Sequence, residues 1–160
     1  MASIFNMAEV VDIGIEKEKS RRDFYEAVAL LTTEGDMKDL FRKLADWEEE
    51  HVRKFESIRD GIDEVEPPES YEGEEAAYMQ ALVNDQLYRD ISPRELAEKL
   101  RDPLEAIARG IEFEKDAILF FRSLGIFLSP SRQGIINELV REEQEHLVYL
   151  SRLREKCRNE

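Results

Sequence analysis

The chain has two histidines, and each stands three residues after a glutamate, in Glu48-x-x-His51 and Glu143-x-x-His146. Residues i and i+3 of a helix share a face, so in each motif the carboxylate and the imidazole point the same way. Oxygen and imidazole donors without thiolate suit iron or manganese, and zinc can also use them. Multi-thiolate chemistry is excluded. Cys157 is the single cysteine, so no intramolecular disulfide, CxxC redox pair or four-thiolate zinc or iron site can form.

What the motifs can do depends on the elements that carry them. Helical periodicity dominates the chain. A first helix, about 8–33, places Val11, Ile15, Tyr25, Val28 and Ala29 on one face. Thr33-Glu-Gly-Asp36 reads as a C-cap glycine followed at once by an Asp N-cap. A second helix, about 37–60, carries Leu40, Phe41, Leu44, Phe55 and Ile58 before Gly61 closes it. So short a connection implies an antiparallel hairpin. A third helix, about 103–124, opens at Asp102-Pro103, buries Leu104, Ile107, Ile111, Ile118 and Phe121, and is expected to stop at Gly125. The fourth, about 130–157, starts near Ser129-Pro130 and carries Ile136, Leu139, Tyr149, Leu150 and Leu153.

Between the hairpins, residues 62–102 form a connection of roughly forty residues, far above the usual length. Glu66-Pro-Pro-Glu69 breaks the pattern, and a weaker helix is expected from Glu74 to Tyr88. Ser92-Pro-Arg-Glu95 is a capping box that opens a short helix to about Leu100. No alternating strand pattern of useful length is present. The expected fold is all-α: a four-helix bundle of two helical hairpins joined by a long crossover, one domain over residues 1–160.

The hairpins resemble each other. Gly14-Ile-Glu-Lys-Glu18 aligns with Gly110-Ile-Glu-Phe-Glu114, and Glu48-Glu-Glu-His51 aligns with Glu143-Gln-Glu-His146, at offsets of 96 and 95 residues. Two matches at nearly one offset indicate an internal repeat. In each hairpin the polar residues interrupt an apolar stripe. His51 lies seven residues after Leu44 and four before Phe55, and His146 sits between Leu139 and Leu150. Glu18 and Glu114 hold the equivalent places between Val11 and Tyr25 and between Ile107 and Phe121.

Four unpaired carboxylates in such a core would exceed the whole net stability of about 5–15 kcal/mol. They must be neutralised. Arg21 and Arg22 are expected to be too few and partly outward-facing, whereas two divalent cations would balance four glutamates with both imidazoles neutral. The heights agree. At about 1.5 Å per residue, all six side chains lie roughly 15–22 Å from their hairpin turns and can meet at one level.

One glutamate from each of two helices plus Glu-x-x-His from each of the other two is the site pattern of ferritin-like di-iron proteins. Over all four long helices the chain resembles the rubrerythrin-like branch of the ferritin-like superfamily. That resemblance implies two iron ions held by Glu18, Glu48, His51, Glu114, Glu143 and His146, with manganese or zinc as alternatives. Glu18 and Glu114 would be terminal or bridging ligands, Glu48 and Glu143 would bridge or cap, and each histidine would complete one iron. It also implies a di-iron oxidoreductase that reduces H₂O₂ or O₂. Cys157 cannot supply the four-cysteine rubredoxin-like domain of full-length rubrerythrins, so electrons would come from a separate partner such as a rubredoxin-like protein. Where rubrerythrins carry an extra glutamate one turn after the third-helix ligand, this chain has Ala117. The six-ligand set is closer to bacterioferritin-like ferroxidase centres, which keeps ferroxidase or iron-handling activity, or a bundle that binds metal without turnover, as alternatives. Tyr25 resembles the tyrosine near many such centres and is a candidate to relay an electron or bond a ligand, with packing as its other role.

Composition sets the partners. Over 160 residues, Asp+Glu is 37 against Lys+Arg 23, a formal charge of −14. Such a surface repels a phosphate backbone and attracts metal cations, so no nucleic-acid partner is expected. No basic leader and no run of 18 apolar residues occur, so the expectation is a soluble, cytoplasmic protein without a membrane partner. A homodimer is expected through an apolar stripe in the crossover: Tyr71, Tyr78, Met79, Leu82, Leu87 and Tyr88. Trp47 is expected in the core or at an interhelical contact, Cys157 as a surface thiol, and the acidic stretch Glu64–Glu75 as a solvated loop.

Overall fold

The computed structural model describes residues 3–5, 7–61, 69–71, 77, 81, 92–100, 102–128 and 130–159. Four long helices account for most of them: α1 (Met7–Leu31), α2 (Gly35–Asp60), α4 (Pro103–Phe127) and α5 (Gln133–Arg158), with a short α3 (Pro93–Lys99) between the hairpins. α1 packs along α2 and α4 along α5, as two hairpins. This is the all-α bundle that the periodicity predicts. It differs in one small feature: β1 (Ser3–Phe5) and β2 (Glu69–Tyr71) pair as an antiparallel ribbon, Ile4 opposite Ser70. Three-residue strands are too short to show an alternating pattern.

The helix starts that carry proline form as expected. Ser92 accepts from the Glu95 amide at 3.2 Å while Glu95 accepts from the Ser92 amide at 3.1 Å, a complete capping box. Asp102 accepts from the Glu105 amide at 2.9 Å. The glycine signals differ. α1 ends at Leu31, and Gly35 begins α2 behind Glu34 as N-cap, so neither the C-cap glycine nor the Asp36 N-cap is used. α4 runs through Gly125 to Phe127, and a 3-10 turn (Pro130–Arg132) precedes α5. There the Gln133 side chain donates to the carbonyl oxygens of Gly125 and Leu128 and closes the α4–α5 turn.

The core is divided in two. One cluster joins Val11, Ile15, Phe55, Phe121 and Leu139; the other joins Tyr25, Phe41, Leu44, Ile107 and Leu150. α3 closes the second through Leu96 and Ala97, and Cys157 packs against it half-buried rather than standing as a surface thiol. On each long helix the two clusters are separated by the same short stretch, residues 17–21, 48–51, 114–116 and 143–146, and these stretches supply nearly all the buried polar residues. Except at 77 and 81, the expected helix from 74 to 88 lies outside the described residues. So do the acidic stretch from 64 onward, except 69–71, and the side chains of the expected dimer stripe.

Candidate metal centre

All six histidines and glutamates singled out by spacing meet in that polar layer. Glu18, Glu48, Glu114 and Glu143 are completely buried, and His51 and His146 are nearly so. Glu48 and Glu143 each face both imidazoles, whose rings stack at 5.2 Å. Glu48 turns Oε2 toward His51 Nδ1 and Oε1 toward His146 Nδ1, both at 3.4 Å. Glu143 does the same from α5, with Oε1 2.8 Å from His51 Nδ1 and Oε2 3.1 Å from His146 Nδ1. These four residues each offer a donor atom within 4.8 Å of the others. Glu18 and Glu114 flank them: Glu18 Oε2 is 3.7 Å from His51 Nδ1, and Glu114 Oε2 is 3.8 Å from His146 Nδ1. The centre therefore has two halves, Glu18 with His51 and Glu114 with His146, and two carboxylates that each face both.

Its acceptors are under-satisfied. Glu18 Oε2, both Glu48 oxygens and Glu114 Oε2 are buried without a hydrogen bond. Native proteins rarely leave a buried carboxylate oxygen without a hydrogen bond. Four converging oxygens beside two imidazole nitrogens form a donor set that fits iron or manganese. The residues present fit a dinuclear metal site.

Proton affinities follow from the crowding. Burial opposes the charge of His51, but Glu143 and Glu48 overcome it and push the imidazole up to about 11. Burial likewise opposes His146, and Glu114, Glu143 and Glu48 push it up to about 12. Burial alone would raise Glu48 and Glu143. Instead, the adjacent imidazoles, with Arg21 beside Glu48, hold both well below the usual carboxylate range. Glu114 goes the other way: burial and then the charges of Glu143 and Glu48 raise it well above that range.

Arg21 requires a correction. It is fully buried rather than partly outward-facing. Its guanidinium pairs with Glu18 Oε1, lies 3.8 Å from Glu48 Oε2 through Nε, and donates to the Phe113 carbonyl at 3.2 Å. Arg22 is only partly buried and pairs outside the layer, with Asp23 and Glu49. Spacing could have found Arg21, which sits at i+3 from Glu18 on the same face.

Other neighbours complete the surroundings. The buried Tyr25 hydroxyl donates to Glu114 Oε1 at 2.7 Å, so Tyr25 does bond a candidate ligand. Trp47 stacks flat on His146, with centroids 4.7 Å apart and planes 9° apart. Glu142, which the spacing argument missed, holds His51 Nε2 at 2.8 Å and is itself held by Lys54 at 2.7 Å. A cavity of about 570 Å³ opens from the surface onto the outer edges of both imidazoles, lined in part by Trp47, Glu142, Tyr149 and Arg152.

No family model and no curated protein matches the chain. Two solved structures share its fold. One, from Thermotoga maritima, is named as a ferritin-like diiron-carboxylate protein. It superposes with a TM-score of 0.78 and 22% identity over 98% of this chain and 99% of that one. The other, a hypothetical protein from Pyrococcus furiosus, gives a TM-score of 0.73 and 17% identity over 97% of this chain and 92% of that one. Among the described residues, no helix is long and apolar enough to cross a membrane.

Proposed function

We propose that the chain is a single-domain di-iron oxidoreductase of rubrerythrin-like type, reducing H₂O₂ or O₂ with electrons from an external donor such as a rubredoxin-like protein. The observation that carries this reading is the convergence of four buried carboxylate oxygens that lack a hydrogen bond and two imidazole Nδ1 atoms in one layer. Glu18 and His51 would help hold one ion and Glu114 and His146 the other, with Glu48 and Glu143 available to both. Iron bound there would supply one electron per ion, which matches the two-electron reduction of H₂O₂ to water. The protein's own part is to hold the donors in place, keep Tyr25 bonded to Glu114, and admit small molecules along the Trp47–Glu142 cavity.

One observation favours a second reading. Ala117 is fully buried at the place of the extra rubrerythrin glutamate, so of these two positions α4 offers only Glu114 to the centre. A six-ligand centre of this kind suits a ferroxidase that handles iron. Anaerobic loading with Fe²⁺ followed by stopped-flow mixing with H₂O₂ or O₂ separates the two. Faster oxidation by peroxide at two irons per chain is expected. Uptake far beyond two per chain would transfer the assignment to iron handling, and absence of bound metal would remove both.

The same proposal includes a homodimer. Sedimentation of the full chain tests it, and a monomer at micromolar concentration would overturn it.

A further inference from the structure

The internal repeat makes the two halves of the centre nearly equivalent, so the places where it fails are informative. At the offset of 96 residues Arg21 corresponds to Ala117 and Tyr25 to Phe121. The Glu18–His51 half thus has a permanent cation against its glutamate, and the Glu114–His146 half has a neutral phenol. An arginine cannot shed its proton in a protein, so this difference persists whatever the pH. The guanidinium reaches further than Glu18. The Glu48 oxygen near it, Oε2, is the one turned toward His51, while Oε1 faces His146. Arg21 therefore draws on two of the three carboxylates that face His51 Nδ1, and it is held there by the Phe113 carbonyl from α4.

We propose that Arg21 makes the centre bind its two metal ions unequally: a resident ion on the Glu114–His146 side and a weaker, exchangeable ion on the Glu18–His51 side. The inference rests on the metal-centre reading above and adds an order of filling to it. A divalent ion entering beside Arg21 meets a unit positive charge within a few ångströms in a buried layer, where screening is weaker than at the surface. It also competes with the guanidinium for Glu18 and Glu48. No arginine stands in that position on the other side, where Ala117 carries no charge and Tyr25 bonds one oxygen of Glu114. In a centre that oxidises iron, the exchangeable position is the one through which ions come and go.

Calorimetric titration of the metal-free full chain with Mn²⁺ tests this without any turnover. Wild type should show two steps whose affinities differ about tenfold or more. Arg21→Met, which keeps the side chain's bulk and removes its charge, should tighten the second step about tenfold or more and leave the first nearly unchanged. Arg21→Lys, which keeps the charge, should preserve two unequal steps, so a general loosening of the fold is distinguishable from loss of charge. His51→Ala should lose the weak step alone, and His146→Ala the tight one. Two equal steps in wild type, or a weak step that Arg21→Met does not move, would overturn the order of filling while leaving the metal centre standing. No Mn²⁺ binding at all would instead overturn the metal-centre reading.

Discussion

Among single residues, Glu142 shows how a side chain outside the donor set can govern it. His51 has carboxylates on both ring nitrogens, Glu143 at Nδ1 and Glu142 at Nε2, each at 2.8 Å. Once a metal takes Nδ1, the bond to Glu142 fixes the proton on Nε2 and raises the basicity of the ligating nitrogen. His146 has an aromatic face, Trp47, in the corresponding place. Glu142→Ala should therefore weaken metal binding about 10- to 100-fold, chiefly on the His51 side, with little change in helix content. Competition against a chromophoric chelator measures this, and an unchanged affinity would make Glu142 a mere partner of Lys54. The six-residue donor set was legible because helical spacing alone puts each member on a buried stripe. Glu142 was not, because its role depends on α5 being laid against α2, and one-dimensional periodicity carries no such contact. Arg21 was legible in position and misjudged in role, since counting cations against carboxylates ignored that a single buried pair can form.

At the scale of the elements, the helices follow from stripes and caps, and the misplaced ends share one cause. Glycine was read as a helix stop at Gly35 and Gly125, yet both lie within helices. Close packing accounts for Gly125, where an added Cβ would stand 3.1 Å from Ile136 Cγ2. Sequence alone cannot separate a glycine that ends a helix from one that lets two helices approach. Gly110 is the informative case. An added Cβ there would come within 3.2 Å of both Leu150 Cδ1 and the Tyr25 hydroxyl, the group that bonds Glu114. Gly110→Ala should push Tyr25 off Glu114 and cost about 1–3 kcal/mol through overpacking, lowering the melting temperature by roughly 2–10 °C. Gly35 has nothing within 4 Å of an added Cβ, so Gly35→Ala should be neutral or stabilise by up to about 1 kcal/mol. Thermal melts of both variants decide the matter, and equal shifts would show that crowding at Gly110 is relieved without cost.

For the whole molecule, the charged layer couples stability to both protons and metal. In the metal-free chain, Arg21, His51 and His146 face the carboxylates of Glu18, Glu48 and Glu143, and burial with the charges of Glu143 and Glu48 raises Glu114. The attraction between these groups opposes the cost of burying them. The balance depends on pH with a definite sign. His51 and His146, raised to about 11 and 12, contribute stability that is full below the ordinary imidazole value near 6.5. That contribution fades as pH climbs toward their raised values. Glu114, also raised, loses its contribution in the same direction, beginning above the ordinary carboxylate value. Glu48 and Glu143, lowered, contribute fully above the ordinary carboxylate value and lose it only in acid. The metal-free chain should therefore melt at a temperature that falls by at least about 5 °C between pH 6.5 and pH 9. Metal reverses the dependence, because ligating imidazoles and carboxylates must first release their protons, so affinity rises as pH rises. Melting curves with Mn²⁺ and with a chelator should diverge steadily over that range. Parallel curves would mean that the imidazoles are neutral in the metal-free chain, and that the four glutamates are balanced by something other than their protons.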